Sequence, residues 1–150
     1  MTIYHYIECG LDNVFVEGLE PLVDDNGEEV IRIPRIAQLH AEIAVGIILQ
    51  DGSMSGSELR FLRSEMGMTQ SELARVVHRD KQSIGRWERN EAEMEPNAEI
   101  VIRGLAIERL KLKADASIED HSRRSIPTAG LEEIRISAAN ETYRLIRNAA

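Results

Sequence analysis

A single cysteine among 150 residues, Cys9, has no partner for an internal disulfide, so the fold must hold without a covalent staple. Also missing is any run of about 18 apolar residues, the length that crossing a bilayer as a helix requires. The start lacks the basic n-region and apolar h-region of a secretion signal, and these absences together point to a cytoplasmic protein with no membrane partner. No Ser/His/Asp spacing, phosphate-binding glycine loop, His-Glu-x-x-His or dense carboxylate cluster is present, and the four histidines are scattered. These are grounds for reading the chain as no enzyme and as needing no cofactor. His5, Glu8 and Cys9 are the one group with metal-ligand chemistry, but a structural zinc site wants four ligands, usually with paired cysteines. An ordinary turn with a buried thiol, and no metal, is the expectation there.

What the chain does have is acid. Its net charge of -8 and pI near 5.1 look wrong for a nucleic-acid binder, so the distribution of charge matters more than the sum. Residues 1–50 hold nine acidic against two basic groups, 51–110 eleven against nine, and 111–150 six against seven. Most of the excess lies in the first third.

The most informative stretch is Met68–Asn90, MTQSELARVVHRDKQSIGRWERN. Thr69 is a good N-cap and Glu72 completes a capping box, with Leu73, Ala74, Val76 and Val77 as the apolar face of a first short helix. His78-Arg79 breaks that pattern. Asp80 then caps a second helix whose inward residues are Ile84 and Trp87, while Lys81, Gln82, Ser83, Arg86 and Arg89 occupy the opposite face. Such side chains pair with phosphates or with base edges in a major groove, where Arg and Lys suit guanine and Gln suits adenine. A positive stripe on an acidic protein predicts weak, salt-sensitive non-specific affinity for DNA.

Thr69-Gln70, Glu72-Leu73-Ala74, Ser83-Ile84 and Trp87-Glu88, preceded by a helix LRFLRSEMG ending at Gly67, resemble the helix-turn-helix of the XRE (Cro/C1-type) transcription regulators. The turn of that pattern usually carries Gly because it needs a positive φ; here it is His78, which tolerates that conformation less well. The resemblance implies that Arg63 and Glu88 brace one another. It also implies a homodimer on double-stranded operator DNA, with Lys81, Gln82 and Arg86 reading bases, Gln70 and Ser83 positioning the helix on phosphate, and Arg89 reaching backbone alone. A small N-terminal sheet region ahead of this helix-turn-helix is loosely similar to the MqsA-like antitoxins. Those commonly carry an N-terminal Cys-rich zinc module, whereas this chain has no Cys pairs.

Along the rest of the chain, residues 3–7, 14–16 and 30–33 read as three short strands of one sheet, with a strong turn at Asp24-Asp25-Asn26-Gly27. Such a sheet needs a cover. A helix over 34–50, with Ile36, Leu39, Ile43, Ile47 and Ile48 at helical spacing, supplies it. Ser55 or Ser57 caps the next helix, with Leu59, Leu62 and Met66 inward and Phe61 at its flank. Pro96 opens another helix to about Leu112, with Ile100, Val101, Leu105 and Leu112 as apolar stripe and Gly104 where close packing is expected. Residues 113–130 read as a polar loop. The end alternates like a hairpin around Ala139-Asn140, the favoured reading over an Ala-rich helix from Ser137, and such a hairpin can be added to the N-terminal sheet or to a partner's edge strand.

The fold class is therefore α+β. A sheet-plus-helix module spans 1–50 and serves dimer or partner binding; a helix-turn-helix domain follows over 55–112, then a linker and C-terminal hairpin over 113–150. The expected function is sequence-specific regulation of transcription, as a repressor. The alternatives are an antitoxin that neutralises a toxin protein and autorepresses its operon, and a protein-binding adaptor that has lost DNA binding.

Overall fold

A computed structural model describes residues 2–128 and 131–147. Its strands are β1 (Ile3–His5), β2 (Val14–Glu17), β3 (Pro21–Val23), β4 (Glu29–Ile31), β5 (Ile134–Ala139) and β6 (Thr142–Ile146); its helices are α1 (Ile36–Leu49), α2 (Gly56–Glu65), α3 (Gln70–Val76), α4 (Lys81–Glu88), α5 (Pro96–Leu110) and α6 (Ile118–Arg124).

The main sheet has the order β1-β2-β5-β6. β1 and β2 are antiparallel, β5 and β6 form the expected C-terminal hairpin, and the two pairs join through a parallel β2–β5 ladder that sets Val14 beside Ile134 and Val16 beside Ile136. Alternation puts Val14, Val16, Ile134, Ile136 and Tyr143 on the covered face. The third expected strand is not in this sheet. β4 pairs instead with β3, in a two-stranded sheet of its own, because the Asp24–Gly27 turn returns the chain onto the segment just before it. Pro21 and the shortness of β3 hid that strand from the pattern.

Helix α1 covers the sheet with Leu39, Ile43, Ala44, Ile47 and Ile48, while Ile36, expected inward, is half exposed. Gly46 is where the helix meets the sheet most closely: a Cβ there would lie 2.9 Å from Ile134 and 3.1 Å from Leu145. One hydrophobic cluster continues from the sheet through α1 to Leu59, Leu62, Leu73, Ile84 and Ile102. Phe61 is buried rather than flanking, and its ring meets that of His40 edge-on at 5.3 Å.

Three buried charged side chains, Glu58, Glu99 and Arg103, stitch these layers. The carboxylate of Glu58 accepts from Asn13 Nδ2 (3.2 Å), Gln50 Nε2 (3.0 Å) and the N–H of Ser55 (2.8 Å), joining the N-terminal loop, the end of α1 and the start of α2. Arg103 and Glu99, both fully buried, pair at 2.7 Å one turn apart on α5. Arg103 also donates to the carbonyls of Ile48 (2.6 Å), Gln50 (3.2 Å) and Gly52 (2.6 Å), satisfying the open end of α1 from another helix. This pair explains a corrected expectation. The inward face of α5 is Ala98, Glu99, Ile102, Arg103 and Ala106, whereas Val101, from the expected stripe, is 44% exposed and a Cβ at Gly104 would meet nothing within 4 Å, so no close packing requires the glycine.

The expected loop over 113–130 contains α6, opened by a capping box in which Ser117 and Asp120 exchange side-chain and backbone bonds. Gly52 and Ser53 donate their N–H groups to the carbonyls of Arg124 and Ile126, so this segment lies against the end of α1. His121 is 3% exposed and its Nδ1 has no hydrogen-bond partner among the described residues. Burial, followed by Arg103 and Arg124, pushes its pKa down from the ordinary 6.5. Below about 6.5 the unfolded chain binds a proton that the folded chain refuses, so stability falls as pH drops through that value towards the lowered one and is flat above it. Urea midpoints at pH 5.5 and 7.5 should converge when His121 is replaced by phenylalanine; an unchanged pH dependence in His121→Phe would remove this histidine as the cause.

Candidate nucleic-acid interface

Thr69 caps α3 with its hydroxyl on the N–H of Glu72 (3.1 Å), and Glu72 returns a bond to the N–H of Thr69 (3.1 Å). The chain leaves α3 through His78 at φ 57°, so the left-handed turn is made without glycine, as the sequence required. Asp80 then caps α4 by accepting from the N–H of Ser83 at 2.8 Å. The hydroxyl and backbone N–H of Ser83 hold the Asp80 carboxyl below the usual carboxylate range, so the cap is charged at neutral pH.

Inside α4 lie Ile84, Gly85 and Trp87; Lys81, Gln82 and Arg86 are exposed and Ser83 is half-buried. Gln82 and Arg86 stand four apart on the outer face, while Lys81 and Gln82 form the first turn. From 70 to 90 the chain carries five Arg or Lys against three Asp or Glu, so the local balance opposes that of the whole protein.

The position of α4 is fixed at its far end. Arg63 of α2 meets Glu88 in a two-pronged pair, Nε to Oε2 at 2.6 Å and Nη2 to Oε1 at 3.0 Å, and its Nη1 donates to the carbonyl of Met68 at 3.0 Å. The expected brace is present, with Glu88 only 5% exposed. Gln70 joins it, its Nε2 donating to Glu88 Oε1 at 3.1 Å. An amide nitrogen carries two hydrogens, so this bond leaves one for another acceptor. Arg89, expected to reach DNA backbone, is held by Glu91 through two contacts of 3.1 Å.

A second anchor escaped sequence reasoning. Asn90, at φ 58°, accepts the N–H of Gly56 at 3.0 Å, and a Cβ on Gly56 would sit 2.4 and 2.5 Å from the carbonyl oxygens of Glu88 and Trp87. Only glycine lets the end of α4 approach the start of α2 this closely. The signal was a Gly directly after the Ser55 cap.

His5, Glu8 and Cys9 are not gathered around a site. His5 bonds the carbonyl of Asp12 at 2.6 Å and stacks on Phe15, Glu8 accepts from Tyr4, and burial pushes the Cys9 thiol pKa up. No group of three potential metal ligands occurs among the described residues, and no helix among them is long and apolar enough to cross a membrane.

Residues 59–103, which run from within α2 to within α5, match the family model described as Helix-turn-helix. No curated protein and no solved structure matches the chain. With the capped pair α3 and α4, the left-handed turn between them and the polar outer face of α4, residues 59–103 form a helix-turn-helix of the XRE type.

Proposed function

We propose that the chain is a sequence-specific repressor that binds an inverted-repeat operator as a homodimer. Carrying this reading is the outer face of α4: Lys81, Gln82 and Arg86 are free of intramolecular ion pairs among the described residues, on a helix locked in place by Glu88 and Gly56. In this reading those three read base edges, Ser83 and Gln70 set the helix on phosphate, and Gln70 does so with its remaining N–H while tied to the brace. Arg89 must leave Glu91 to reach backbone.

One such helix touches few base pairs, and a two-fold dimer sets two of them about 34 Å apart on one face of the duplex. The outer side of α5, where Val101 is 44% exposed beside Ile100, Gly104 and Leu105, is an apolar surface suited to a second copy. Light scattering should show a dimer on operator DNA; a monomer both free and bound would end that part of the reading.

Operator sequences selected in vitro from random DNA provide the main test. Arg86→Ala should lose about 1–3 kcal/mol at the selected site and relax base preference at one position, whereas Gln70→Ala should weaken all sequences alike. Should Arg86→Ala and Gln82→Ala retain the wild-type base preferences in a scan of that operator, the assigned face is wrong.

A further inference from the structure

The β3–β4 hairpin has an ordered turn and little cover. Asp24 Oδ1 accepts the N–H groups of Asn26 and Glu28, both at 2.9 Å, and Gly27 at φ 79° donates to the Asp24 carbonyl at 3.0 Å. Along its strands Leu22 is 46%, Val23 69% and Val30 41% exposed. Leu22 stands opposite Val30. A lone two-stranded hairpin is marginal in water, and leaving three aliphatic side chains in solvent does nothing to support it.

Neither strand has a second neighbour among the described residues. β3 begins with Pro21, which has no N–H to offer, so β4 is the edge with an unbroken set of donors and acceptors. Charge decides between possible occupants. Glu20, Asp24, Asp25, Glu28 and Glu29 surround the aliphatic residues, with no Lys or Arg before Arg32. Two copies of this hairpin side by side would set acid against acid, whereas a basic strand meets opposite charge and the same apolar side chains.

We propose that the β4 edge receives an extended segment of a basic protein by strand addition, with Val30 and its cross-strand neighbour Leu22 making the apolar contact on one face and the acidic ring selecting the charge. The hairpin lies outside residues 59–103, so this inference does not depend on which bases α4 reads.

The test uses the full chain with a photoreactive benzoylphenylalanine in place of Val30 on β4 itself, irradiated in its native host, followed by identification of the adduct. The cross-linked protein is then purified and titrated with wild type, with Leu22→Asp/Val30→Asp and with Glu28→Lys/Glu29→Lys. Thermal midpoints check that each variant is folded. The expected result is a protein of basic pI whose affinity falls at least tenfold, an order-of-magnitude expectation, with either double variant, the charge-reversed one losing less at high salt. No adduct, an adduct with a second copy of this chain, with DNA or with an acidic protein, or a basic protein that binds all three forms equally, would overturn the proposal.

Discussion

Arg103→Met is expected to cost roughly 3–5 kcal/mol of folding stability, because it leaves the Glu99 carboxylate buried without its partner. That is a large share of the roughly 5–15 kcal/mol typical of a whole domain. The loss goes beyond one ion pair, since the same guanidinium closes the carbonyls of Ile48, Gln50 and Gly52. Glu99 would retain only Ser53 and the N–H of Met54 as donors. Replacing both partners, as Arg103→Met/Glu99→Leu, should recover part of the stability because no uncompensated charge stays buried. Urea midpoints of the four proteins measure this cycle. A single variant as stable as wild type would show that the pair does not join α5 to the end of α1.

Arg63→Ala should also cost several kcal/mol, about 3–5 at most, since Glu88 is 5% exposed and would keep Gln70 as its one side-chain donor. The effect should be double. Besides stability, the variant loses the contact that holds the end of α4, so operator affinity should fall further than the fraction of unfolded protein explains. Arg63→Lys separates the terms: a single ammonium restores charge but cannot make the two-pronged contact or reach the Met68 carbonyl at the same time. It should regain more stability than affinity. Unchanged melting in Arg63→Ala would show that the brace carries no weight.

Local signals were the legible ones. The capping box at Thr69, the Asp80 cap and the left-handed His78 each depend on residues within a few positions, and the structure has them where the spacing put them; of the two serines that could cap α2, Ser55 does so, through a capping box with Glu58. The face of α5 was misread because two charged residues one turn apart look solvated in a sequence, and their mutual pairing shows only when α1 supplies the acceptors. Helix α6 was missed because a single buried residue, His121, gives no apolar period. On the interface, the outward residues of α4 and the Arg63–Glu88 pair were readable, whereas the Gly56–Asn90 contact needs two elements 34 positions apart.

The parallel ladder between β2 and β5 also sets a timetable. Val14 leaves the ribosome 120 positions before its partner Ile134, which at 5–20 residues per second is a wait of roughly 6–24 s. During that interval the contacts that join α2 to α4, which span 25 positions at the Arg63–Glu88 pair and 34 at Gly56–Asn90 against 120 for the ladder, can already form. The helix-turn-helix is thus able to fold first, while β2 and the apolar side of α1 remain open until synthesis reaches β5. The nascent chain passes through a state with an assembled helix-turn-helix and an unfinished sheet, and it is in that state, rather than in the finished protein, that β2 is a free edge exposed to aggregation.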